Sequence, residues 1–289
     1  MGALNIQNPA IPFGSHVVVS GVSRFVGSHV ADQALAAGYK VRGTTCKIHK
    51  SAWIKEQFEK EYGPGNFELA EVLDMAADGA FVEAVNVNGA LNALRASAKE
   101  QSMKCFMYTS SSYAATLPKP GGRFTITAET FSEVAIKQAR GPDADRDSVY
   151  TVSKVEAERA IANHQGYPMT VRWAKSLWES DFNSLKHVPP QHFINMQDDV
   201  RLHIIRLGDP SVQGERIFAI KGPFSLNNII GVLRKLYPGR RWEDYPGDAR
   251  DLSTFEIIKR AEELLLQSYG KGFVGLKEIV GGNVADLAT

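Results

Sequence analysis

VVVSGVSRFVGSHV, Val17 to Val30, reads as an apolar strand that runs through a glycine turn into a helix. Such a turn offers backbone N–H groups at a helix amino terminus to a phosphate, and three glycines ordinarily serve it. One makes the sharp turn, one lets the phosphate approach the backbone, and one allows close helix–strand packing. Gly21 and Gly27 hold the outer positions, and Arg24 stands where the middle glycine would be. The motif predicts a dinucleotide pyrophosphate at the turn and poses a question about the arginine.

Outward from this stretch, strand and helix patterns alternate, which predicts an α/β fold: a doubly wound parallel sheet covered by helices. HVVVSG is the first strand, FVGSHVADQALAAG an amphipathic helix, and YKVRGTT the second strand. SAWIKEQFEKEYG reads as a helix stopped at Gly63-Pro64-Gly65, followed by the strand NFELAEV. AADGAFVEAV and NGALNALRASAKEQ read as helices, and KCFMYTSS as a strand ending in hydroxyls. Two joins are abrupt. No strand separates the helix at Val85 from the one near Asn88, although a right-handed crossover returns to the sheet each time, and the strand PMTV enters RWAKSLWES without turn residues. From Trp173 on, Pro, Trp and Arg become commoner, and helices such as NNIIGVLRKLYP and EIIKRAEELLLQSYG outweigh weak strands such as ERIFAI. The expected division is a nucleotide-binding domain over 1–171 and a smaller, mostly helical lobe over 172–289, with some elements returning to the first.

With 289 residues, 44% of them hydrophobic, and a net charge of +1, the composition is that of an ordinary globular protein and gives no sign of nucleic-acid binding. Cys46 and Cys105 have neither metal-ligand spacing nor a pairing pattern, which favours a reducing compartment. No apolar run is long enough to span a bilayer and the opening MGALNIQNPAIPFG lacks the features of a signal peptide, so a cytoplasmic location is expected.

YTVSK places Tyr150 and Lys154 four residues apart in a helical pattern, so both project from one face. An ammonium beside a phenol stabilises the phenolate and makes the group a usable proton donor and acceptor. Alone, the pair is weak evidence and reads more readily as a surface pair. Ser110, Ser111 and Ser112 alter that reading, because they end a strand some forty residues earlier, where an open α/β sheet places its ligand. A serine there donates a hydrogen bond to a carbonyl oxygen as negative charge develops on it.

The stretches SGVSRFVGSHV, GYKVRGT, NGALNALRAS, YTSSSYAATLPKP, YTVSKVEAE, KSLWESDF, VPPQHFINMQDDVRLH, RKLYP and DLSTFEI together resemble the extended short-chain dehydrogenase/reductases. Within that family they resemble the fungal NADPH-dependent aldehyde and ketone reductases and the dihydroflavonol-4-reductase-like proteins. The resemblance implies a carbonyl reductase using NADPH (NADP+) and a small-molecule carbonyl substrate, as a monomer or homodimer. It gives Ser111 the carbonyl, Tyr150 the proton, and Lys154 the nicotinamide ribose and the Tyr150 pKa. It also implies that relatives carry additional strands and loops at the two abrupt joins. A dihydroflavonol-reductase-like or epimerase-like enzyme with the same residues is the alternative, as is a catalytically silent NADP(H)-binding regulator.

By the same resemblance the cofactor is held by Gly21, Ser23, Arg24, Phe25, Val26 and Gly27 at the turn, by Arg42 and Lys47 near the second strand, by Asp74 and Met75 after the third, and by Thr109, Tyr150 and Lys154. Cys46 stands where relatives have an arginine that pairs with the adenosine 2′-phosphate, and Arg24 is the expected replacement, since guanidinium and phosphate form charge-assisted bidentate bonds. The competing reading leaves Arg24 in solvent. His187, His192 and His203 lack metal spacing and read as packing or capping groups. Trp173, Trp178 and Phe182 read as core, and RKLYPGRR as a solvated basic face.

Overall fold

A computed structural model describes residues 4–6, 9–73, 89–90, 92–94, 101–119, 121–142, 144–161, 176–186, 188–247 and 249–285. Strand β1 (His16–Val19) leads into helix α1 (Phe25–Ala36), strand β2 (Lys40–Thr45), helix α2 (Ile48–Tyr62) and strand β3 (Phe67–Glu71). The three strands form one parallel sheet in the order β1-β2-β3, with Val17 opposite Val41 and Val41 opposite Phe67. This is the βαβαβ unit that the glycine turn and the alternation of patterns predict. Val17, Val19 and Val41 point into a core completed by Ala31, Leu35, Ile54 and Phe58 of the two helices. Val18, on the other face of β1, is exposed, so the strand is buried on one side and not on both.

Chain turns use glycine where the backbone demands it. Gly63 ends α2 at φ 86°, and Gly38, between α1 and β2, sits at φ 88°; an L side chain rarely adopts either value. Gly43 on β2 serves a different need, because a Cβ there would lie 2.6 Å from Cγ1 of the fully buried Val22. The strand thus carries a gap that receives the valine of the phosphate turn.

Two segments expected as strands form no ladder among the described residues. In 104–111, Cys105 and Met107 pack against the sheet core while Phe106 and Tyr108 pack against Ala90 and Ala157. In ERIFAI, Phe218 and Ile220 enter one cluster and Ile217 and Ala219 another. The two-residue alternation follows from burial on two faces, which extended backbone satisfies whether or not it pairs. Helix AADGAFVEAV, most of NGALNALRASAKEQ, the strand PMTV, both abrupt joins and Trp173 lie outside the described residues.

The second half supplies helices Met196–Gly208, Leu226–Leu236, Ile258–Tyr269 and Leu276–Val284, with short strands between them. Met196–Gly208 returns to the sheet, setting Ile204 and Leu207 into its core. A second core gathers Leu177, Leu185, Phe224, Ile230, Leu233 and Trp242. Trp178 and Phe182 pack against it, as expected. The basic run RKLYPGRR is more than a solvated face: Arg240 stacks between Trp178 and Trp242 at 4.6 and 5.0 Å from the ring centroids, and Arg234 pairs with Asp244 at 2.8 Å. Guanidinium faces are weakly hydrated and settle on indole rings.

Because Val22 fills the space above Gly43, Gly43→Ala should destabilise the fold by about 2 kcal/mol through overpacking. Thermal unfolding followed by circular dichroism should show a midpoint several degrees lower than that of the parent protein.

Candidate active site

Helix Arg146–Ile161 carries the site. Asp145 and Ser148 start it by a reciprocal cap, in which the Ser148 amide donates to Asp145 Oδ1 at 2.7 Å and the Asp145 amide donates to Ser148 Oγ at 3.1 Å. Ser148, Thr151, Val155 and Ala157 form its buried side. That anchoring fixes the rotation of the helix and brings Tyr150 and Lys154, one turn apart, toward residues 108–111.

Ser111 caps the short helix Ser112–Ala115, accepting a bond from the Tyr113 amide at 3.4 Å. Its hydroxyl lies near the Tyr150 phenol and lowers the phenol's pKa, but burial raises it more, so the net direction is upward. Tyr113 meets the Tyr150 ring edge-on, with centroids 6.2 Å apart, and burial lifts its own pKa to about 12. The Lys154 ammonium lies 5.4 Å from the Tyr108 ring centroid and 5.8 Å from that of Tyr150. Burial lowers the Lys154 pKa, and Glu158 opposes that. Ser111, Tyr150 and Lys154 are therefore brought together. The phenol is not an acidified group here, since its desolvation outweighs the influence of the nearby Ser111 hydroxyl.

The glycine turn has the shape the motif requires. Gly21 adopts φ 66°, and a Cβ on Gly27 would lie 2.4 Å from the Gly21 carbonyl oxygen, so the outer glycines cannot be replaced without movement. Arg24 sits at φ −100° and ψ 161°, extended backbone open to any residue, which explains why the middle position tolerates a side chain. It occupies the N-cap of α1 without a side-chain capping bond, and the first turn contains no acidic residue. The amides of Phe25, Val26 and Gly27 thus begin a helix whose positive end no carboxylate neutralises. Ser23 is half-buried beside them, and among the described residues the exposed Arg24 guanidinium makes no hydrogen bond or ion pair. These residues fit an anionic phosphate.

The remaining predicted contacts diverge. Arg42 is paired with Glu68 of β3, so its charge is already matched. Lys47 is exposed at the N-cap of α2. Thr109 bonds His203 at 3.1 Å, and the other ring nitrogen of His203 meets the Asp199 carbonyl oxygen at 2.9 Å. His192 pairs with buried Asp251 at 3.5 Å and meets Phe255 edge-on, a packing role. Asp74, Met75 and His187 lie outside the described residues.

Sequence reasoning missed Glu158 and Arg216. Glu158 Oε2 meets Arg216 Nη2 at 3.0 Å, both side chains buried, one further helical turn along from Lys154. The four-residue rhythm Tyr150, Lys154, Glu158 was visible in YTVSKVEAE; nothing in ERIFAI marked Arg216 as its partner.

A family model described as male sterility protein, of the NAD_binding_4 group, matches residues 68–174. Aldehyde reductase 2 of Sporidiobolus salmonicolor is 30% identical over 343 aligned positions that take in 97% of this chain and 99% of the relative. Ketoreductase adrE of Penicillium rubens is 28% identical, covering 96% of this chain and 98% of its own. With 343 aligned positions against 289 residues, more than fifty positions of the first alignment face gaps in this chain. Among solved structures, yeast methylglyoxal/isovaleraldehyde reductase Gre2 complexed with NADPH superposes with a TM-score of 0.70 at 19% identity over 94% of this chain and 98% of that one, a likeness of fold.

Asp199 generates a pH prediction. It is fully buried with no hydrogen bond to either carboxylate oxygen among the described residues, and burial lifts its pKa to about 6, with His203 lowering it and Asp198 raising it. An unfolded aspartate releases its proton near pH ~4, so the native state loses stability as pH rises from there through about 6. Asp199→Asn should therefore stabilise the protein by about 2 kcal/mol at pH 8, with the gain vanishing by about pH 4. Urea unfolding at the two pH values checks the difference.

Proposed function

Since the chain belongs to the extended short-chain dehydrogenase/reductase family, with relatives named aldehyde reductase and ketoreductase, we propose that it is an NADPH-dependent carbonyl reductase converting an aldehyde or ketone to an alcohol. The observation that carries this reading is the meeting of Ser111, Tyr150 and Lys154 at the start of a helix anchored beside the hydroxyl-rich end of residues 104–111. In this proposal residues 1–171 hold the nucleotide and 172–289 shape the substrate pocket, with helix Met196–Gly208 returning to the sheet. We also read the protein as cytoplasmic, a reading supported by two free cysteines. No helix among the described residues is long and apolar enough to cross a membrane.

NADPH, when bound, supplies the hydride that reduces the carbonyl carbon. Ser111 donates a hydrogen bond to the carbonyl oxygen and stabilises the charge that gathers there. Tyr150 gives that oxygen its phenolic proton, completing the alcohol, and the resulting phenolate is stabilised by the Ser111 hydroxyl and the Lys154 ammonium. A phenol with a raised pKa holds its proton at neutral pH, which suits a donor in the reducing direction. The Gly21–Gly27 turn takes the pyrophosphate through the first amides of α1. Arg24 takes the 2′-phosphate, because Arg42 is engaged by Glu68 and Cys46 carries no cation.

Tyr150→Phe should lower the rate of NADPH oxidation with a responsive aldehyde at least about 100-fold while leaving NADPH affinity within about twofold. Retention of turnover would remove the proton donor from this account. Arg24→Gly should weaken NADPH at least about tenfold and NADH hardly at all, measured by calorimetric titration. Equal losses for both cofactors would show that Arg24 does not read the extra phosphate.

A further inference from the structure

Glu158 lies in the interior with 4% of its side chain exposed, and Arg216 is nearly as buried at 7%. A charge in such a place costs stability unless it serves a neighbour. Arg216 is held by two carbonyl oxygens and two aromatic rings besides Glu158. Its Nη1 donates to the carbonyl oxygens of Ala128 at 2.9 Å and Thr130 at 2.6 Å, and its guanidinium lies between the Phe131 and Phe218 rings, 4.6 and 5.0 Å from their centroids. Glu158 is thus clamped by a cation that cannot move away.

Lys154 lies one turn back along the same helix, four residues before Glu158, close enough for each charge to influence the other. Lys154 makes no ion pair within 4 Å among the described residues, so its charge depends on groups farther off. Those near it are Tyr150 and Glu158 on its own helix and Tyr108 across from it, and Arg216 is reached only through its pair with Glu158. Ser110 lies beside the Glu158 carboxylate, and Tyr113 reaches Tyr150 but not the ammonium. Helix Glu133–Ala139 also packs on this helix, and the charged pair recorded near its end, Arg140 with Glu156, is exposed on a different face. Among the described residues, Glu158 is the carboxylate that stands between the half-buried Lys154 and the buried Arg216. Without it, an ammonium and a guanidinium would confront each other in a low-dielectric interior, and the lysine, whose proton is removable, would yield.

We propose that Glu158, locked in place by Arg216, is the positioning residue for Lys154, keeping its ammonium charged and directed along the helix face shared with Tyr150. The inference rests on the reading of Lys154 as the group that serves Tyr150. It also makes the charge on the lysine depend on the 128–131 loop and on residue 216 from the second half of the chain, so that correct seating of that segment and a competent site are one condition.

The test reads Lys154 directly. Protein labelled with carbon-13 at lysine Cε is titrated by NMR, with the Lys154 signal identified by its loss in Lys154→Arg. Glu158→Gln should lower the Lys154 midpoint by about one pH unit or more, and Arg216→Gln should raise it, since one removes the attracting charge and the other the repelling one. Glu158→Asp should stay near the parent value. Midpoints that stay put, or that move the same way in both variants, overturn the proposal. If Glu158→Gln fails to fold, Arg216→Gln decides alone, and an unmoved or lowered midpoint overturns it. The same variants are assayed for NADPH-dependent reduction across pH, where the alkaline limb should follow the NMR midpoints. Opposite NMR shifts in a protein with no reductase activity would leave this inference standing and remove the functional reading instead.

Discussion

The anchoring of helix Arg146–Ile161 against residues 108–111 is the constraint on which the site depends. Tyr150, Lys154 and Glu158 follow one another at four-residue intervals, so a single rotation of the helix places or misplaces all three. That rotation is fixed at one end by the Asp145–Ser148 cap and at the other by the Glu158–Arg216 pair. Between them, small buried residues such as Ala157 and Ser153 let the helix lie close to its neighbours. The chemistry proposed for Ser111 and Tyr150 requires their hydroxyls to meet one substrate oxygen, and an anchored helix holds the two near each other without a ligand having to bring them together.

The cofactor turn shows how a motif keeps its physics while losing part of its pattern. Gly27 is indispensable because its Cβ would collide with the Gly21 carbonyl, and Gly21 because its backbone is left-handed. At position 24 the backbone is extended, so the absent glycine removes no necessary conformation and adds a cation at the helix terminus. The same reasoning redistributes the other cations. Arg42 neighbours the turn in sequence space but spends its charge on Glu68 across the sheet. The alignment with the aldehyde reductase relative takes in more than fifty positions that this chain lacks.

Much of this was legible beforehand. The strand–turn–helix of Val17 to Val30 and the four-residue spacing of Tyr150 and Lys154 follow local rules, and local rules survive folding. Ser111 was readable because a run of three serines ends an otherwise apolar segment at the place where an open α/β sheet puts its ligand. What the sequence concealed was pairing at a distance. Arg216 is one letter in ERIFAI, and nothing local says that it will bury itself between two phenylalanines and reach a glutamate 58 positions away. Segments 104–111 and 215–220, which pair with no strand among the described residues, make a related point: alternation reports which faces are buried, and backbone pairing is decided by neighbours the alternation does not name.

The central claim is that this chain moves hydride from NADPH to a carbonyl carbon while Tyr150 protonates the oxygen. The most direct test is isotopic: NADPH carrying deuterium on both faces of the nicotinamide C4 is incubated with the protein and an aldehyde that it consumes. The account predicts one deuterium on the carbinol carbon of the alcohol, matched mole for mole to NADP+ formed. Alcohol without deuterium, or NADPH that binds and is never oxidised by any aldehyde or ketone tried, would contradict it.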